Sequence, residues 1–230
     1  MLTCLCDAFF GEVGIATVRV LEHAGCEVVF DETQTCCGQP PFNAGDWKAA
    51  RKIARHCIES LHPYGEIPLV TPSGSCAAML REGYPMLFEG TEHPNCFELG
   101  EFLVHKLGIQ SWPGEVSPRK VAFHRACHGR GLGLKDEQER LVRSLQGVEL
   151  VQFAQQEQCC GFGGAFAATH GKLSSGIGQE KLDNILASGA EWLVSGDMGC
   201  LMHLNGLIQK HNLPLKTAHF AQFLSEAIPA

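Results

Sequence analysis

Apolar side chains recur at helical spacing in GIATVRVLEHAG, residues 14–25, and the pattern runs into Gly25, a residue suited to ending a helix in a left-handed turn. The next five residues, CEVVF at 26–30, are a short β-branched run and read as a strand. A second helix is expected over DWKAARKIARHCIESL (46–61), a buried strand over IPLVTP (67–72), and a further helix start at SCAAMLREGY (75–84). Farther on, RKVAFH (119–124), VELVQF (148–153) and EWLVS (191–195) read as strands. KDEQERLVRSLQG (135–147), GQEKLDNILASGA (178–190) and CLMHLNGLIQKH (200–211) read as helices. Strands alternating with helices predict an α/β fold with mainly parallel sheets.

The pattern also repeats. Cys4 and Cys127, Cys36 and Cys159, and Cys37 and Cys160 each lie 123 residues apart, and Cys76 and Cys200 lie 124 apart. Both Cys-Cys pairs are followed by glycine, Gly38 and Gly161. Even GEFLVHKLG (100–108) resembles AQFLSEA (221–227). A period this long means duplicated domains, since solenoid repeats are far shorter. The Pro- and Gly-containing stretch GIQSWPGEVSPRK (108–120) is the natural boundary. The expectation is two pseudo-symmetric α/β units, residues 1–112 and 113–230, arising by internal duplication. The matched cysteines are then expected at strand-to-helix loops, on the sheet edge where ligand sites gather. Helix N-termini there present N–H donors that stabilise thiolates.

Composition narrows the chemistry. The chain is 45% hydrophobic and 19% charged, ordinary for a globular protein, and its net charge of −7 provides no basic footprint for nucleic acid. No apolar run approaches the ~20 residues that span a bilayer, and the start has no basic segment leading an apolar one. A cytoplasmic location is therefore expected. In a reducing compartment, twelve cysteines point to metal or redox chemistry and not to disulfides.

Four thiols per half, Cys4, Cys36, Cys37 and Cys76, then Cys127, Cys159, Cys160 and Cys200, suit an iron–sulfur cluster or a zinc ion. A tetrahedral zinc requires sulfurs about 3.8 Å apart. Vicinal cysteines in an extended segment diverge, which favours a cluster with several irons and separate attachment points. One [4Fe–4S] cluster per half is expected, with zinc the alternative occupant of a site. Gly38 and Gly161 would let the backbone turn tightly against it. Cys26, Cys57 and Cys96 have no partner in the other half and read as core residues, while Cys6 falls out of register opposite Gly129. Among eleven histidines, His128 beside Cys127 and His203 after Cys200 could cap a cluster, ligate iron or relay a proton; His124 and His219 rank behind them.

These residues resemble a known family. DAFFGEVGIATVRVLEHAGCEVVFDETQTCCGQPPFNAG, TPSGSC, CCGFGGAF and SGDMGC are similar to the cysteine-rich CCG domains of heterodisulfide reductases and of glycolate oxidase iron–sulfur proteins, and more closely to the lactate utilization protein A family. The resemblance covers nearly the whole chain. It implies an iron–sulfur subunit of a cytoplasmic complex oxidising L-lactate to pyruvate, acting beside two partner proteins, one of which also carries iron–sulfur clusters. A heterodisulfide-reductase-like subunit with a catalytic cluster and a zinc-stabilised scaffold are the alternatives. In the reductase the motif ends in Cys-x-x-Cys, whereas here Met79 and His203 hold the last position. A four-thiolate cubane, or one completed by His203 or an exogenous group, fits that departure better than a five-cysteine cluster.

Overall fold

The computed structural model describes residues 1–89 and 94–229, and it is an α/β protein whose strands all pair in parallel. Strands β1 (Leu69–Thr71) and β2 (Cys96–Glu98) form a two-stranded sheet with Leu69 opposite Cys96. Strands β3 (Glu115–His124), β4 (Gln146–Leu150), β5 (Trp192–Ser195) and β6 (Lys216–His219) form a second sheet in the order β4-β3-β5-β6. Its register sets His124 opposite Ser195 and Ser195 opposite His219. Parallel neighbours need crossover connections, and helices supply them.

Before the first strand come α1 (Cys4–Phe9), α2 (Gly11–His23), α3 (Gln39–Asn43) and α4 (Trp47–Leu61). Next, α5 (Gly74–Ala78) continues through a π-helical turn at Met79–Gly83 into α6 (Tyr84–Leu87), and α7 (Leu99–Glu101) continues into a π-helical turn at Phe102–Lys106. The remainder are α8 (Cys127–Gly131), α9 (Glu137–Arg143), α10 (Ala165–Thr169), α11 (Gly171–Ala187), α12 (Met198–His211) and α13 (Phe220–Glu226). Among the described residues no helix is long and apolar enough to cross a membrane.

The helix expected over residues 14–25 forms and stops where the sequence says. Gly25 takes φ +87° and the Cys26 N–H donates to the Leu21 carbonyl at 3.0 Å, closing the last turn. Its buried stripe, Val13, Ala16, Thr17, Val20 and Leu21, follows the i, i+3, i+4, i+7 rule. Ala16, Val20 and Leu21 share one core cluster with Val121, Phe123, Phe220 and Phe223, so the largest core draws on both sides of residue 112.

Two expectations meet a different outcome. Residues 26–30 form no strand, and Val29 and Phe30 are more than half exposed. A strand exists through backbone pairing, and this segment has no parallel neighbour. An apolar cleft of about 600 Å³, lined by Ile15, Val18, Val28, Phe30, Ile67 and Val70 among others, lies in its place, with the Met1 amine donating to the Val70 carbonyl at 2.6 Å. The boundary stretch 108–120 is also no loose linker. Residues from Glu115 onward are already β3, and Trp112 is 2% exposed, its Nε1 donating to the Leu224 carbonyl at 3.0 Å and its backbone N–H to Ser144 Oγ at 2.7 Å. A buried indole fills volume that a flexible connector would leave empty.

Trp112→Ala is expected to cost about 3–5 kcal/mol in urea unfolding, as for other large buried rings cut to a methyl. Trp112→Phe keeps most of that volume and loses the Leu224 hydrogen bond, an expected cost near ~1 kcal/mol.

Candidate metal centres

Each group of four thiols is assembled from the first turns of two helices and one Cys-Cys-Gly loop. Cys4 opens α1 and Cys127 opens α8. Cys76 and Cys200 are the third residues of α5 and α12, directly after β1 and β5. Side-chain caps fix these two turns: Ser73 Oγ accepts from the Cys76 N–H at 3.4 Å, and Asp197 Oδ1 accepts from the Gly199 and Cys200 N–H groups at 3.0 and 3.4 Å. Cys76, Cys127 and Cys200 thus follow strands as expected. Cys4 follows only three residues that form no strand, and the Cys36–Cys37 loop follows none because residues 26–30 stay unpaired.

The two Cys-Cys-Gly loops are built alike. Gly38 has φ +87° and Gly161 φ +88°, a region that side-chain-bearing residues rarely enter. The Gly38 N–H donates to Cys36 Sγ at 3.4 Å and the Gly161 N–H to Cys159 Sγ at 3.3 Å. Each glycine packs on the start of a long helix: a Cβ at Gly38 would lie 3.2 Å from the Ala50 carbonyl oxygen of α4, and one at Gly161 only 2.5 Å from the Ser174 carbonyl oxygen of α11.

The sulfurs of each group converge. In the first, Cys4 and Cys36 Sγ are 3.6 Å apart and Cys37 and Cys76 Sγ 3.5 Å, with a hydrogen bond between Cys36 and Cys37 joining the two pairs. In the second, Cys160 and Cys200 Sγ are 2.9 Å apart, and hydrogen bonds link Cys127 to Cys159 and Cys159 to Cys160. Both run from surface to core. Cys4, Cys127 and Cys159 are exposed and Cys36 is half-buried, whereas Cys37, Cys76, Cys160 and Cys200 are buried.

Their protonation follows one pattern. Cys36 is held far below the ordinary thiol range by hydrogen bonds from Cys37, then Cys4, with a further contribution from the Gly38 N–H. Cys159 is lowered in the same way by Cys127, then Cys160, with help from the Gly161 N–H. The donors Cys4, Cys37, Cys127 and Cys160 are pushed up, first by those bonds and then, among lesser causes, by burial. Hydrogen bonding among the sulfurs thus favours ionisation at Cys36 and Cys159 over the thiols that donate to them. Four contacting sulfurs cannot all ionise until a cation joins them. This donor set fits a soft metal or an iron–sulfur cluster.

Of the remaining cysteines, Cys57 and Cys96 are buried in the core cluster that also holds Cys37 and Cys76, and Cys26 packs half-buried against the main core. Cys6 is fully buried one turn into α1, and burial pushes its thiol up to about 11. His128 sits beside the second group, its Nδ1 3.8 Å from Cys127 Sγ, while its Nε2 is 3.4 Å from Gln39 Nε2 in the first loop. His203 turns instead to Ser174, with Nε2 3.4 Å from the hydroxyl and 3.3 Å from the carbonyl oxygen, and burial lowers its pKa. His219 caps α13 through Nδ1, accepting from the Ala221 N–H at 3.2 Å.

Sequence reasoning passed over two residues. Lys181 is fully buried and donates from Nζ to the Gln156 and Gln158 carbonyls at 3.1 and 2.9 Å, bracing the segment that leads into Cys159. Burial lowers its pKa to about 8 against the opposing pull of Cys160, Cys200 and Cys159. Its signal was a lysine on the inward stripe of a helix, beside Leu182 and Ile185. Asp197 is the second. Besides capping α12, its Oδ2 accepts from Ser73 Oγ at 3.2 Å and the Ser75 N–H at 3.1 Å, so one carboxylate holds the cysteine-bearing turns of both groups. Nothing short of the tertiary structure shows that pairing, since Ser73 and Asp197 are 124 residues apart.

Comparison with known proteins agrees with this arrangement. A profile of the CCG family, described as a cysteine-rich domain, matches twice, at residues 1–81 and 121–205. The chain is 40% identical over 237 residues to Lactate utilization protein A of an Exiguobacterium species, covering 99% of this chain and 96% of that protein. It is 38% identical over 233 residues to Lactate utilization protein A of a Geobacillus species, covering 97% and 96%. Against Lactate utilization protein A 2 of Bacillus cereus it is 36% identical over 237 residues, covering 99% and 97%.

Asp197→Ala is expected to lower stability by about 1–2 kcal/mol through the lost caps and to make both Cys76 and Cys200 reactive toward a thiol reagent in the metal-free chain. Unchanged reactivity at either cysteine would show that its turn is held without this carboxylate.

Proposed function

We infer the function of a chain that belongs to the lactate utilization protein A family and matches the CCG cysteine-rich domain twice: it is the iron–sulfur electron-transfer subunit of a cytoplasmic system that oxidises L-lactate to pyruvate. The observation that carries this reading is the convergence of eight thiols as two groups of four, each buried on one side and open on the other. Cys4, Cys36, Cys37 and Cys76 would hold one [4Fe–4S] cluster, and Cys127, Cys159, Cys160 and Cys200 the other. A bound iron–sulfur cluster supplies reversible one-electron exchange.

The chain's own residues then set how readily that exchange occurs. The Gly38 and Gly161 N–H groups donate to ligand sulfurs, withdrawing electron density and favouring the reduced state. Cys37, Cys76, Cys160 and Cys200 close the inner side to water. The exposed flank at Cys4, Cys127 and Cys159 is where the other lactate utilization proteins, one of them a second iron–sulfur protein, would approach. Gln39 and His128 bring the first loop into contact with the second group, a short connection for an electron moving between the halves.

One observation favours a second reading. The 3.5 and 3.6 Å sulfur separations in the first group are close to the ~3.8 Å that a single tetrahedral zinc would impose.

Anaerobic purification is expected to give iron and acid-labile sulfide, with a paramagnetic signal on reduction. Cys37→Ser should remove one half of the metal and Cys160→Ser the other, while Cys57→Ser leaves it unchanged. Stoichiometric zinc without sulfide would replace the electron-transfer reading by a structural one. Because metal uptake must expel protons from the thiols held high, metal affinity should rise with pH, measurable by chelator competition.

A further inference from the structure

His124 ends β3 with its ring in the interior, 1% exposed, and neither Nδ1 nor Nε2 has a hydrogen-bond partner among the described residues. A buried polar group left unmet costs about 1–3 kcal/mol, and such groups in folded proteins usually have a use. The backbone gives the ring no easy way out. His124 is paired with Ser195 in the sheet, and its carbonyl oxygen accepts from the Ser195 hydroxyl at 2.9 Å. The ring faces the second group: a ring nitrogen of His124 and the sulfurs of Cys160 and Cys200 lie within 4.8 Å of one another. His203, the histidine that follows Cys200 at the reductase-like spacing, is instead engaged with Ser174.

We propose that His124 is a metal ligand of the second group beside Cys160 and Cys200, taking the place of one of the exposed thiolates Cys127 and Cys159, so that this centre has a mixed imidazole–thiolate shell. The inference rests on the metal-binding reading above but not on the identity of the metal. A neutral imidazole donates a nitrogen lone pair without adding negative charge. The position 123 residues earlier is Met1, so the first group has no imidazole there and remains all-thiolate. Substituting imidazole for anionic sulfur raises the potential of an iron–sulfur centre. Two centres of otherwise similar build would then be unequal, the second being the easier to reduce.

The test uses the full chain carrying Cys37→Ser, which leaves the second centre as the one observed. Protein grown with 15N-histidine, loaded with iron and sulfide and reduced, is expected to show a strong nitrogen hyperfine coupling that changes with the isotope. His124→Ala should abolish it and move the midpoint potential to a more negative value. His124→Cys, which keeps a ligand and guards against loss of folding, should retain metal without the coupling. A coupling that is absent, survives His124→Ala, or is only of the weak size expected for an N–H···S contact overturns the proposal. Co²⁺ added to the metal-free chain separates this from the cluster assignment. A cobalt spectrum that shifts on His124→Ala supports nitrogen ligation even if no sulfide is ever incorporated, and a spectrum indifferent to His124 counts against it.

Discussion

Four thiols in mutual contact are an unstable arrangement for a polypeptide unless something holds them there. Ionised, they repel; protonated, they offer only weak hydrogen bonds in exchange for the backbone order they demand. This chain meets the constraint twice with the same devices. Helix first turns place the outer and inner sulfurs, a left-handed glycine folds the vicinal pair back onto its own N–H, and the next long helix closes against that glycine. Within each group the hydrogen bonds favour negative charge on the middle sulfur, Cys36 or Cys159.

The two groups are joined more tightly than a chain of two independent lobes would require. The largest core takes α2 from one side and α13 from the other, with Trp112 wedged where a linker was expected. Asp197 accepts hydrogen bonds from the turns of both α5 and α12, and the Gly74 backbone lies so near Gly129 that a Cβ would stand 3.0 Å from its nitrogen. Geometry set in one group is therefore felt in the other. For the electron exchange proposed above, such rigidity would keep distances constant without a moving part.

Similar build does not mean equal surroundings. The second group has a buried lysine that braces its loop and a buried imidazole without a hydrogen-bond partner among the described residues; the positions that match them in the first half are Ile58 and Met1. A buried cation near one set of sulfurs makes added negative charge easier to accept there.

The local facts were legible from residues alone. Helical spacing marked α2, α4, α9, α11 and α12, β-branched runs marked β1, β3 and β5, and the matched cysteines marked the eight sulfurs that the fold brings together. Short-range stereochemistry determines such features, so they are written where they occur. Three kinds of feature were not. The strands β2 and β6, CFE and KTAH, carry little strand character and exist through pairing with β1 and β5, while the more strand-like residues 26–30 lack a neighbour and stay unpaired. Lys181 and His124 gain their meaning from loss of solvent, and Asp197 from a helix more than a hundred residues away. Backbone pairing, desolvation and long-range hydrogen bonding depend on what the folded chain sets alongside a residue. Spacing along the chain marked the eight cysteines; only packing decided which groups around them are buried or shared.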